Sequence, residues 1–259
     1  MDVPLESAGS AARDRRDVRA LSLSVAFVWL ATALLFAHPH YREVGASYLD
    51  RLGLPHWLMA ATCAAELALG VVVAVARPTW LWFAAQAAPV AVFTLILATL
   101  EPLLLAHPYG VLSKNLPLVG ALATATLAAR EGFSARVLWL LRISMALPWL
   151  TEGLVPKLLF VQQAELEVVR QSGLVPMDAK AFLHLLGLAQ IASAVAALVL
   201  RGRPLLLLLC AQVAALLALP ILVAQHDPLL WVHPFLPLLK NVPILVGTVV
   251  VVRRCSTSS

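Results

Sequence analysis

Apolar residues in this chain gather into long unbroken runs rather than alternating with polar ones. Eight runs stand out, at about 20–37, 56–76, 79–100, 115–130, 137–158, 179–200, 204–224 and 237–252. At about 1.5 Å per residue, each approaches or exceeds the roughly 30 Å hydrocarbon thickness of a bilayer. In lipid every backbone N–H and C=O must be paired within the protein, and runs without a two-residue period do this as helices, not barrel strands. The pattern therefore predicts eight transmembrane helices. A longer polar segment follows the first and the fifth run. In the second of these, Leu166 and Val169 alternate with Glu165, Glu167 and Arg170 ahead of Gly173 and Pro176. That spacing predicts a short amphipathic helix on the membrane surface, ended by the glycine. Val44, Tyr48 and Leu52, followed by Gly53 and Pro55, predict its counterpart.

The polar positions between runs reveal a duplication. Glu101 to Gly120 and Asp227 to Val246 align without gaps at a separation of 126 residues, with nine of twenty positions identical. The identities include His107/His233, Pro108/Pro234, Lys114/Lys240, Asn115/Asn241 and Pro117/Pro243. A shared apolar background does not produce agreement at polar and turn residues, so the chain reads as two tandem units. Trp29-Leu30 recurs as Trp149-Leu150, 120 residues later. The expected fold is all-α and transmembrane, about eight helices as two parallel-repeated four-helix bundles. Residues 1–18 form a disordered tail, 19–132 the first unit and 133–253 the second.

Composition agrees. Only 13% of residues are charged, against about 25% in soluble domains, and mean hydropathy is +0.88. The net charge of +5 does not point to nucleic acid, because the basic residues sit in short clusters between apolar runs. With the N-terminus inside, twelve Lys and Arg fall on the cytoplasmic side and seven outside, which predicts both termini in the cytoplasm of a bacterial-type cell membrane. An even number of helices per unit makes the repeat parallel rather than inverted. The apolar run from Leu21 to Ala37 is long for a signal peptide and has a mid-chain counterpart at 138–158, so it reads as a span. Cys63, Cys210 and Cys255 have no paired spacing, which predicts neither disulfides nor a dithiol centre.

Candidate chemistry is sparse. Glu66 lies near the middle of the second run, where a bare carboxylate is costly, so it is expected to be protonated or paired. It reads either as a proton-handling or ligand-binding carboxyl or as an interhelical hydrogen bond. Its counterpart is Gln190 or Ala192, depending on the gap. Glu152 lies in the fifth run ahead of Pro156 and Lys157. Five residues separate Glu152 from Lys157, so they share a face only where the proline distorts the helix, and Lys157 is expected to snorkel outward. In the doubled element, Asn115 and Asn241 suit helix caps and Lys114 and Lys240 can reach the interface. The same element reads alternatively as a polar rim of His107, His233, Lys114, Lys240, Asn115 and Asn241 around an anionic or quinone-like headgroup, with histidines that titrate near neutrality. Haem ligation by the histidines has no supporting spacing. Gln86 and Gln212 correspond and suit interhelical hydrogen bonds. No Walker loop, GxGxxG, nucleophile elbow or HExxH occurs, so no autonomous catalytic motif is present and no metal site is expected.

These residues resemble a known family. RISMALPWLTEGLVPKLLF, SGLVP, RGRPLLLL and HPFLPLLKNVPIL in the second half, and AAELALG and HPYGVLSKNLPLV in the first, are similar to the DoxX-like membrane proteins, whose unit is a four-helix bundle. The resemblance covers roughly residues 20–252. The second half departs from it in lacking a clear counterpart of Glu66. It implies membrane redox association, with a quinone as the implied cofactor and a soluble or membrane oxidoreductase as partner. The expectation is an accessory or quinone-contacting subunit of a membrane redox system. A small-solute or lipid-handling protein using a cavity between the bundles, or a non-catalytic scaffold, are the alternatives.

Overall fold

The computed structural model describes residues 5–107, 110, 111, 113–173 and 175–256. Met1 to Pro4 of the expected tail and Pro108 of the doubled element lie outside them. Among the described residues the chain is all-helical, with ten α-helices and no strand. These are α1 (Leu5–Leu35), α2 (Pro39–Arg51), α3 (Trp57–Val75), α4 (Trp80–Leu100), α5 (Asn115–Glu131), α6 (Ala135–Leu154), α7 (Gln163–Ser172), α8 (Ala179–Val199), α9 (Gly202–His226) and α10 (Asn241–Ser256). The short α2 and α7 are the two amphipathic helices, and each apolar run supplies one of the other eight. Six of those, α1, α3, α4, α6, α8 and α9, are long and apolar enough to cross a bilayer. With 17 and 16 residues, α5 and α10 are shorter. The protein is a multi-pass membrane protein.

Local chemistry sets the boundaries. Thr79, Ser134 and Asp178 accept hydrogen bonds from the first-turn amides of α4, α6 and α8. Gly53 and Gly173, 120 residues apart, turn the chain out of α2 and α7 at φ of 64° and 62°. The Arg142 guanidinium donates to the carbonyls of Ala197, Leu198 and Leu200, and so serves as the C-terminal cap of α8 from within α6.

The two units interlock. In each, the first helix packs on the next long one (α1 on α3, α6 on α8) and the last packs on the third (α5 on α4, α10 on α9). Between the units, α1, α5, α6 and α10 form a shared central quartet. Its core includes Leu21 and Val25, Leu118 and Leu122, Leu141 and Met145, and Ile244 and Val250. The peripheral helices present Leu81, Leu95, Leu185, Val199 and Leu207 outward, as contact with lipid tails requires. Lipid is as apolar as these side chains, so close packing and internal polar bonds must hold the bundle.

At one end of the quartet, Arg254 pairs with Asp14 and Asp17, Arg253 pairs with Asp17, and the Arg254 guanidinium lies 4.2 Å from the Phe133 ring centroid. This clasp ties α1, α10 and the inter-unit linker together. It also corrects one expectation: from Leu5 onward the stretch read as a disordered tail continues α1 as helix, because Asp14 and Asp17 have fixed partners.

Helices α6 and α8 approach closely at a pair of glycines. A β-carbon on Gly153 would lie 2.6 Å from the Gly187 carbonyl oxygen, and one on Gly187 equally near the Gly153 carbonyl. Backbone cannot yield as a flexible side chain can. Gly153→Ala and Gly187→Ala are each expected to cost about 1–3 kcal/mol through overpacking and to lower the thermal unfolding midpoint of the detergent-purified protein. Gly9→Ala, which faces open space, is expected not to.

Candidate functional site

The doubled element forms the middle of the molecule at the end opposite the clasp. Its two copies meet and exchange lysines. Lys114 Nζ donates to the Pro237 carbonyl at 2.8 Å, and Lys240 Nζ donates to the Val111 carbonyl at 3.1 Å. Pro237 is Val111 shifted by 126 residues, so the pair of bonds obeys the internal symmetry. The turns match as well: Gly110 has φ 68°, and its counterpart Leu236 is held at φ 50°, a left-handed conformation unusual for a branched side chain. Both lysines point inward and Lys114 is buried, which corrects the expectation that they reach the interface. Asn115 and Asn241 are the first residues of their helices rather than side-chain caps.

Each lysine enters the cavity of the other unit. The first cavity, about 300 Å³, is lined by α1 to α5 and holds Glu66, Tyr41, Cys63 and Asn115 together with Lys240. The second, about 130 Å³, holds Glu152, Lys157, Glu165, Gln190 and Asn241 together with Lys114. Each cavity lies mostly within one unit and is completed by residues from across the seam.

The first cavity is mostly apolar, walled by residues such as Leu58, Val90, Phe93 and Leu118. Glu66 Oε2 is buried without a hydrogen-bond partner. The Tyr41 hydroxyl lies 3.7 Å from Cys63 Sγ, and burial, with the Glu66 charge adding to it, pushes Tyr41 above its ordinary value. Asn115 Nδ2 donates to Thr94 Oγ1 at 2.8 Å. Trp29 Nε1 donates to Gln86 Oε1 at 3.1 Å, the interhelical role expected of Gln86. At the mouth, the Tyr48 hydroxyl donates to Glu101 Oε2 at 2.7 Å, and Arg51 reaches the Leu100 carbonyl at 2.6 Å. Burial and the bond to Glu101 push Tyr48 up to about 12.

The second cavity is charged. Glu152 Oε1 faces Lys114 Nζ at 3.7 Å, and Lys157 Nζ pairs with Glu165 Oε1 at 3.0 Å. Pro156 opens a π turn over Val155–Leu159. This brings Lys157 near the backbone carbonyl of Glu152 (3.5 Å), while its ion pair is with Glu165. Lys157 is 4% exposed, so it turns inward rather than snorkelling out. Gln190, one of the two sequence counterparts of Glu66, lines this cavity.

The histidines stand beside the seam. Phe235 N donates to His233 Nδ1 at 3.3 Å, and the His233 ring sits edge-on to Phe235. Burial lowers both His107 and His233 to about 4, with Lys114 adding to the effect on His107 and His107 and His40 adding to that on His233. The near-neutral titration expected of the histidines falls instead to Lys240, which burial and the charge of Lys114 bring to about 7.

Sequence reasoning singled out Glu66, Glu152 and the motif lysines but missed Tyr41, Cys63 and the inward turn of Glu165. Position 165 adjoins the buried Leu166 on α7, and its charged neighbours disguised it.

A duplicated, all-helical membrane protein with one carboxyl cavity per unit is thus defined. The DoxX-like family model matches residues 26–123 and again 146–249. The chain belongs to the DoxX-like family, as a tandem of two units. No curated protein and no solved structure matches it.

The histidine environment has a measurable consequence. Both folded values lie below the ordinary 6.5, so between about pH 6.5 and 4 the unfolded chain binds more protons and stability falls as pH falls. Each histidine contributes up to about 3 kcal/mol over that window. The unfolding midpoint is expected to drop from pH 6.5 to 4, and His107→Asn and His233→Asn each to flatten that slope.

Proposed function

We propose that this protein is an accessory, quinone-contacting subunit of a membrane redox system, and that the quinone headgroup enters the first cavity. The observation that supports this most is the Glu66 cavity itself. About 300 Å³ of mainly apolar space falls at the small end of ligand pockets and suits an aromatic headgroup with the start of a tail. Lys240, which has N–H donors beyond the one given to Val111, and Glu66, whose Oε2 has no hydrogen bond, suit a carbonyl at one point and a hydroxyl at another. A partner oxidoreductase, which the family resemblance implies, completes the reading as the source of electrons.

A short-chain ubiquinone analogue is expected to raise the unfolding midpoint of the purified protein. Glu66→Gln and Lys240→Met are each expected to weaken that response about tenfold, the effect of one lost hydrogen bond to a charged group. Absence of any shift in the unmodified protein counts against a quinone here. Uptake of a solute or lipid by the protein alone in liposomes favours the handling role instead.

We also propose that all eight long helices span the bacterial cell membrane with both termini in the cytoplasm, supported by the Lys and Arg bias. In a protein whose native cysteines are replaced by serine, a cysteine at Asp50 or Glu167, exposed on α2 and α7, is expected to react with an impermeant thiol reagent from outside intact cells. Labelling only after lysis reverses the orientation.

A further inference from the structure

The second cavity has a composition the first lacks. Moving from the first unit to the second, Thr32 becomes Glu152, Ala37 becomes Lys157 and Gly45 becomes Glu165, all at a spacing of 120 residues. Thr94, which holds Asn115, becomes Pro220 at a spacing of 126, and Asn241 Oδ1 is left without a partner. Gln86, which holds Trp29, corresponds to Gln212, but Gln212 donates to Ser193 Oγ at 2.8 Å and Trp149 Nε1 is left without a partner. Glu165 Oε2 and Gln190 Oε1 are buried without a hydrogen bond too, and the buried Glu152 Oε1 has the 3.7 Å ion pair with Lys114 in place of one. Five buried polar atoms without a hydrogen bond belong to residues lining one cavity of about 130 Å³. Lys114 and Lys157 in its wall are 6% and 4% exposed.

The occupant must satisfy carboxylate oxygens, which only accept, and an indole N–H, which only donates. Two lysines and two glutamates balance, so it need bring no charge. Water meets both demands, and the volume holds about four molecules at roughly 30 Å³ each. The charged groups form a series: Glu165 on α7, Lys157 on the π turn, Glu152 on α6, and Lys114 at the seam. Helices α8, α9 and α10 face Glu152 with the uncharged Gln190 and Asn241 and with apolar side chains.

We propose that the second unit holds a hydrated proton-exchange site, in which Glu152 takes up and releases protons through bound water by way of Glu165. A proton from bulk water neutralises the Glu165 carboxylate, crosses the water cluster to Glu152 Oε1, and returns by the same route, so nothing is consumed. Burial drives Glu165 upward and Lys114 downward, bringing both nearer to exchange at neutral pH. The proposal does not rest on the quinone reading of the first cavity.

The test is infrared difference spectroscopy of the full chain in lipid nanodiscs, titrated from about pH 5 to pH 9 and exchanged into D2O. A protonated-carboxyl carbonyl band is expected that disappears in Glu152→Gln and persists in Glu66→Gln. Its H/D exchange is expected to slow about tenfold or more in Glu165→Gln, the range for losing a positioned proton-transfer group. Glu152→Gln leaves Lys114 unpaired, so Glu152→Gln/Lys114→Met, which removes both charges, is measured beside it. The absence of any band dependent on Glu152 overturns the proposal, as does exchange unaffected by Glu165→Gln.

Discussion

Two inward-turned lysines donating across the seam tie the two halves in register. A lysine ammonium taken out of water is costly unless it finds strong acceptors. Here each finds a carbonyl in the opposite turn, at positions related by the duplication. The turns must lie back to back for this to happen, and that places α5 beside α10 and brings α1 and α6 against both. The left-handed Leu236 is a further sign of the constraint: the second turn keeps the path that Gly110 gives the first, although its side chain resists it.

Within that frame the halves have diverged. In the first, local partners absorb the polar groups: Gln86 takes Trp29 and Thr94 takes Asn115. What remains is a carboxyl in an apolar chamber. In the second, the corresponding partners are absent or turned elsewhere, and acids and lysines fill the space. One backbone plan carries an apolar site and a charged one, and the difference lies in about five side chains.

Much of the fold was legible in the sequence. Long apolar runs leave the backbone no choice but helix in lipid, and the polar identities at a spacing of 126 residues marked the repeat. Both surface helices followed from Gly53, Gly173 and the spacing of Leu166 and Val169. The site was legible only in part. Glu66 and Glu152 showed as lone acids in apolar runs. The Lys157–Glu165 pair did not, because a helix break lies between them and no periodicity crosses it. The motif lysines were misplaced because Lys-Asn-x-Pro fits the start of a surface-facing helix equally well, and only the meeting of the two turns decides the direction of the side chains. The histidines were misjudged for the same reason, since their burial depends on that meeting.

The crossed lysines bear on how such a chain can arise. A four-helix unit of this kind cannot finish its own chamber, because its lysine is committed to a neighbour. A lone unit would therefore have to associate with a second copy, and two identical copies would share every later change of sequence. Joining the copies in one polypeptide removes that bond between them. Each half can then vary without imposing the same variation on the other, and an apolar chamber beside a charged one is what that independence allows.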